Sequence, residues 1–107
     1  MSRPWRLTRH AAAALTDIAN WTYQAFGAAQ AESYQNGLIT CCRQIASGNM
    51  RSRSCARLIA HNCTDNLRYA RSGQHYVVFL DAPERVVIVD VLHVRSNLPG
   101  KLAQLEQ

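Results

Sequence analysis

Residues 74–93 read QHYVVFLDAPERVVIVDVLH, and they decide the fold. Tyr76, Val77, Val78 and Phe79 are the β-branched and aromatic residues of a strand, which the spacing predicts over Gln74 to Leu80. Asp81-Ala82-Pro83-Glu84 follows as a turn, because the pyrrolidine ring of Pro83 presets its φ for one. Arg85 to His93 is then the most apolar run in the chain. Val86 to Val89, Val91 and Leu92 leave almost no polar face, so this strand is expected in the centre of a sheet, covered on both sides.

Upstream, Leu67 to Arg71 leads through a turn at Ser72-Gly73 into that strand pair, which makes a run of hairpins. The segment Asn49 to Asn66 has no sustained period and reads as a connection. Before it the period is helical. Ala31, Tyr34, Leu38, Cys41 and Ile45 recur at spacings of three and four and stop at Gly48; Cys41 and Cys42 flank this stripe as small core residues. Ala11, Leu15, Ile18, Thr22 and Ala25, with Ala14 and Phe26 on the same side, form an earlier helix that ends at Gly27. Trp5 to Thr8 is a short first strand, with Thr8 placed to cap the helix after it. Asn97 to Gln107 is a tail around Pro99, with Leu98, Leu102 and Leu105 at helical spacing.

This order predicts an α+β domain over residues 1–107, strand-helix-helix-strand-strand-strand. An antiparallel helical hairpin packs on one face of a mostly antiparallel four-stranded sheet, with a short C-terminal tail or helix. The partner of the first strand is left open. A chain of 107 residues holds one thin core and leaves no room for a second, cofactor-binding domain. At 48% hydrophobic and 18% charged it is too apolar for disorder, and no apolar run approaches the ~20 residues of a membrane span. Asp17 and Asn20 interrupt the apolar stretch after Arg3, Arg6 and Arg9, so a signal peptide is not expected and the cytoplasm is.

The net charge is +5, carried by 11 arginines and the single lysine Lys101. Guanidinium groups grip phosphate and carboxylate alike, so the sign points to nucleic acid or to an acidic protein. Arg51, Arg53 and Arg57 fall in the connecting segment, Arg68 and Arg71 on the strand after it, and Arg95 with Lys101 beyond the last strand. Converging on one sheet edge, they would form a basic patch beside Tyr69 and Tyr76 able to hold a phosphate backbone. Catalytic chemistry is harder to find. His10, His61, His75 and His93 lie apart, and His75 and His93, which shares parity with Val89 and Val91, read as hydrogen-bonded sheet residues. Cys41, Cys42, Cys55 and Cys63 lack the spacing of a zinc site, and Gly27, Gly37, Gly48, Gly73 and Gly100 build no phosphate loop. No metal, cofactor or disulfide is expected.

The chain also resembles the ParE branch of the RelE/ParE toxin superfamily of type II toxin-antitoxin modules. The resemblance runs through Leu7-Thr8, Ile18, Trp21 and Tyr23, Phe26-Gly27, Ala31 and Tyr34. It continues through Leu67-Arg68 ahead of Gly73, Tyr76-Val77-Val78-Phe79, and the closing Val91-Leu92-His93-Val94-Arg95. It implies a toxin that arrests growth by poisoning DNA gyrase without catalysing a reaction. A cognate ParD-like ribbon-helix-helix antitoxin would neutralise it in a hetero-oligomer, with Trp21 and Tyr23 as contacts. DNA would be reached only through antitoxin or gyrase, and no membrane is involved. The target surface would draw on Arg51, Arg53, Arg57, Arg68, Arg71, Arg95 and Lys101. RelE-like members of the superfamily are ribosome-dependent mRNA endonucleases. On that alternative Arg68, Arg71, His75, His93 and Arg95 are the catalytic set. Against it, no acidic residue lies between Glu32 and Asp65 and no tyrosine beyond Tyr76, so acid and base are hard to supply. A third alternative is a relic of the fold that binds antitoxin but is not toxic.

Overall fold

The computed structural model describes residues 2–54 and 66–95. Thr8 is where strand becomes helix, and it fixes both. Its N–H donates to the Ile88 carbonyl at 2.9 Å and its hydroxyl to the Val89 carbonyl at 3.2 Å, while the hydroxyl oxygen accepts the Ala11 N–H at 3.1 Å. One side chain thus caps the helix and ties it to the sheet.

Strand β1 (Trp5–Leu7) precedes helix α1 (Arg9–Phe26), and helix α2 (Ala28–Ser47) follows at once. Gly27 makes the abrupt joint with φ 95°, a left-handed conformation that favours glycine. Gly48, at φ 79°, closes α2 as expected; its N–H bonds the Ile45 carbonyl and Asn49 N–H bonds the Gln44 carbonyl, satisfying the last turn. Four further strands follow: β2 (Arg53–Ser54), β3 (Leu67–Ser72), β4 (His75–Asp81) and β5 (Val86–His93).

The strands form a single sheet in the order β1-β5-β4-β3-β2. The open question of the first strand is answered by β5: Trp5 lies opposite Val86 and Leu7 opposite Ile88, in parallel. All other pairings are antiparallel. Five strands replace the expected four, because Arg53 and Ser54, read as part of the connection, pair with Tyr69 and Arg68 at the sheet edge. A two-residue strand is too short to generate a period, which is why it left no signal.

The helical hairpin covers one face of the sheet. Leu15 of α1, with Leu38, Cys41, Cys42 and Ile45 of α2, packs on Val77, Phe79, Val86, Ile88 and Val91. Full burial of a side chain such as Leu38 or Ile88 is worth about 1.5–3 kcal/mol. The α2 stripe lies in the core as read, with both cysteines buried. The end of the α1 stripe does not: Ala25 and Phe26 are exposed, and Phe26 rests edge-on against Trp21, centroids 5.9 Å apart. A second, smaller cluster of Leu67, Val78 and Leu92 with Tyr69, Tyr76 and Val89 lies on the other face, so β5 is buried on both sides as its composition demanded.

A bulge alters the reading of β5. Phe79 faces Ile88 and Val78 faces Asp90, so Val89 is the extra residue. Before it Val86 and Ile88 contribute to the helix side; after it Val91 does, while Val89 joins the other cluster. Strict alternation put His93 with Val89, and the inserted residue breaks that parity. The bulge also carries the buried Asp90, whose carboxylate meets His10 Nε2 at 3.1 Å and accepts the Val91 N–H at 2.8 Å. His61, Cys55, Cys63 and the tail Asn97 to Gln107 lie outside the described residues.

Candidate functional site

Two surfaces carry the residues singled out above, and the sheet separates them. On the first, the register places Arg53 opposite Tyr69 and Arg71 opposite Tyr76. Side chains alternate along a strand, so these four share the face opposite the helices. The Tyr69 and Tyr76 rings meet edge to face, centroids 5.4 Å apart at 84°. The chain leaving α2 supplies the outer wall, and together Arg51, Ser52, Arg53, Tyr69, Arg71 and Tyr76 line a recess of about 510 Å³. Of the basic residues expected to converge beside the two tyrosines, Arg51, Arg53 and Arg71 line this recess.

Not every expected arginine takes part. Arg68 is committed inward: its Nε donates to Ser52 Oγ at 2.8 Å and its Nη2 to the Ser52 carbonyl at 2.9 Å, holding the stretch that bears Arg51 and Arg53. Arg71 anchors through Nε to the Gly73 carbonyl at 3.0 Å. Arg95 lies in the turn after β5, where its backbone N–H donates to His93 Nδ1 at 3.1 Å. Arg57 and Lys101 lie outside the described residues.

The second surface lies on the helix side. Ile18, Trp21 and Phe26 of α1, Tyr34 of α2, and His75 and His93 at the sheet end line an apolar groove of about 540 Å³. Trp21 and Phe26 are each 65% exposed and Tyr23 is 59% exposed, so both aromatics singled out on α1 are surface residues; Trp21 faces this groove and Tyr23 does not line it. The floor is a polar chain. The Tyr34 hydroxyl accepts the Gln74 N–H at 2.9 Å and lies 2.6 Å from His75 Nδ1, and the His75 and His93 rings sit edge to face at 5.3 Å. Burial, then the neighbouring His93, lower the pKa of His75. The tautomer of the His75 ring sets which of the two groups donates, and the same hydroxyl lies 3.5 Å from the Ser72 carbonyl. Both histidines are thus hydrogen-bonded sheet residues, as read. Tyr34 as their partner and Phe26 as a groove residue were missed: Tyr34 looked like core from its spacing, and nothing in its own helix signals the turn it reaches.

The catalytic set proposed for a nuclease is divided by this geometry. Arg71 stands on the open face, His75 and His93 on the helix side, and Arg68 is spent on Ser52. Among the described residues no cluster of three or more His, Cys, Asp or Glu could hold a metal, and no helix is long and apolar enough to cross a membrane.

The family model for the ParE toxin of type II toxin-antitoxin systems, parDE, matches residues 5–98. The chain belongs to the ParE toxin family. Its ParE fold is also that of a solved structure titled the chromosomal ParDE TA system from P. aeruginosa, with TM-score 0.68 at 14% identity, covering 86% of this chain and 96% of that chain. At that identity the likeness is one of fold. No protein of curated function matches the chain. The expected family thus stands on the matched span, and β1 through β5 all fall within it.

Proposed function

We propose that this ParE-family toxin arrests growth by poisoning DNA gyrase and is held inactive by a cognate ParD-like ribbon-helix-helix antitoxin. The observation that carries this over mRNA cleavage is the division of the nuclease set. A general acid and base must reach the 2′-hydroxyl and leaving oxygen of one phosphodiester. Arg71 stands on the face of the sheet opposite the two histidines, and Arg68 is engaged by Ser52, which leaves only Arg95 beside His93 and weakens the case for one shared phosphate.

The two surfaces suit two partners. The arginine recess, with Arg51, Arg53 and Arg71, is the target-facing side, and the excess charge favours a negatively charged assembly such as gyrase on DNA. The groove of Trp21, Phe26 and Tyr34 suits an amphipathic antitoxin segment, since aromatic side chains anchor interfaces. Tyr23, exposed elsewhere on the same helix, is a second candidate contact outside the groove. Cytoplasmic action follows from both partners.

The deciding experiment is supercoiling of relaxed plasmid by gyrase with and without the purified toxin. Inhibition, or accumulation of cleaved plasmid, is expected. Undiminished supercoiling, together with codon-specific cuts in a cell-free translation reaction, would replace gyrase with the ribosome. Absence of growth arrest on induction without antitoxin would reduce the chain to a non-toxic antitoxin binder.

A further inference from the structure

The recess on the open face has a composition that gyrase binding alone does not require. Three guanidinium groups, of Arg51, Arg53 and Arg71, line it beside two tyrosines, and among the described residues no lining side chain carries a carboxylate. The described carboxylate contacts, of Asp81 with Arg3 and of Asp90 with His10, lie elsewhere. Arg71 is exposed and bonds the Gly73 carbonyl through Nε; among the described residues no bond engages its two terminal amino groups, a fork suited to phosphate.

The tyrosines add a second kind of recognition. Tyr69 and Tyr76 are half-buried and meet edge to face at 84°, their rings 5.4 Å apart. A ring so placed is a stacking platform, and base-aromatic stacking is worth ~1–3 kcal/mol whatever the base. The volume, about 510 Å³, is that of a site for a nucleotide-sized group. A paired base is stacked inside its duplex and cannot enter; an unpaired one can.

We propose that this recess binds single-stranded nucleic acid, taking a phosphodiester among Arg51, Arg53 and Arg71 and one unstacked base against Tyr69 and Tyr76. An acidic polypeptide would satisfy the arginines but leave the tyrosines unused. The recess is the one assigned above to the target-facing side, but strand binding does not rest on the gyrase reading, because it needs no gyrase. It also departs from the expectation that DNA is met only through a protein.

The test is fluorescence anisotropy of labelled oligothymidylate and oligouridylate with the full-length chain, over a salt series, beside a duplex of equal length. Binding of either single strand is expected, with Arg53→Ala and Arg71→Ala each weakening it about tenfold and lowering the salt slope by about one. Tyr69→Ala weakens it about fivefold or more, and Tyr69→Phe, which keeps the ring, preserves it. Arg9→Ala, next to β1 at the opposite edge of the sheet, changes neither affinity nor slope. Preference for thymidylate assigns the site to a DNA strand and fits the gyrase reading; preference for uridylate keeps the site and speaks against that reading. The proposal is overturned if neither strand binds at low salt, if duplex binds as tightly as single strand, or if polyglutamate displaces the strand as well as unlabelled strand does. Equal affinity of the Arg53→Ala, Arg71→Ala and Arg9→Ala proteins would overturn it too, by making the attraction one of net charge.

Discussion

The hydroxyl of Tyr34 lies 2.6 Å from Nδ1 of His75, joining two residues 41 positions apart. The same hydroxyl accepts the Gln74 N–H, so a side chain of α2 holds the tight turn between β3 and β4. Gly73, in that turn, has φ 59°, and a Cβ there would lie 2.8 Å from the Tyr34 oxygen. Tyr34→Phe removes the bonds of a half-buried hydroxyl and is expected to cost about 1 kcal/mol in urea unfolding. Gly73→Ala adds the left-handed backbone penalty to the clash, and is expected to cost at least ~1–2 kcal/mol. An unchanged midpoint for both would remove Tyr34 from this role.

His75 gives the fold a dependence on acid. Its folded pKa is lowered by burial and by His93, so the native state prefers the neutral ring while the unfolded chain titrates near 6.5. The stability it contributes is fully present above pH 6.5 and is lost as pH falls from there toward the lowered folded value. Urea midpoints measured from pH 7 to 5 are expected to fall, and the slope to flatten in His75→Gln. Parallel slopes in the two proteins would assign the effect to other groups.

Arg3 ties the chain start to two distant ends. Its guanidinium donates to the Ile45 and Ala46 carbonyls at the C-terminus of α2, at 3.0 and 3.2 Å, to the Ala82 carbonyl at 2.8 Å, and it pairs with Asp81. A cation there also complements the negative end of the helix. Arg3→Ala is expected to destabilise by about 2–3 kcal/mol, and Arg3→Lys, which cannot span the same acceptors, to recover less than half. Equal melting temperatures for wild type and Arg3→Ala would show the clasp to be idle.

Cys41 and Cys42 are expected to be inert toward iodoacetamide in the native protein near neutral pH. Burial pushes Cys41 up to about 11 and Cys42 up to about 12, and the thiolate is the reactive form. The sign for stability is the reverse of the histidine's. The unfolded thiols ionise near 9, so their contribution is whole below that and is lost as pH rises toward 11 to 12, by up to about tenfold in the folding constant per pH unit per thiol. Rapid native-state alkylation at pH 8 would contradict the burial.

Trp21→Ala and Phe26→Ala are expected to leave thermal stability within about 0.5 kcal/mol, because both rings are exposed. If the groove seats the antitoxin, each weakens that complex by about 2 kcal/mol or more, close to thirtyfold, in titration calorimetry. Full affinity in both variants would move the antitoxin elsewhere.

Legibility followed periodicity. The α2 stripe, the Thr8 cap and the hairpin strands were readable because each imposes a repeat or a special residue over enough positions to be seen. Arg53 and Ser54 could not announce a strand in two residues, and Val89 could not announce a bulge, since an inserted valine in a valine-rich run leaves the composition unchanged. At the site, the grouping of Arg51, Arg53 and Arg71 with Tyr69 and Tyr76 was legible as a conditional: it needed only that the connection return to the sheet. The commitment of Arg68 to Ser52, and the contact of Tyr34 with His75, are long-range facts that no local pattern encodes.

The parallel pairing of Trp5–Leu7 with Val86–Ile88 sets the order in which the molecule can be completed. The earliest strand and the cap of α1 have no sheet partner until the last strand exists, because Thr8 bonds to Ile88 and Val89. Contacts this distant in sequence slow folding, since the loop must close before they form. A chain emerging from the ribosome therefore holds an unfinished core until β5 has been made. Synthesis itself delays the appearance of a finished toxin.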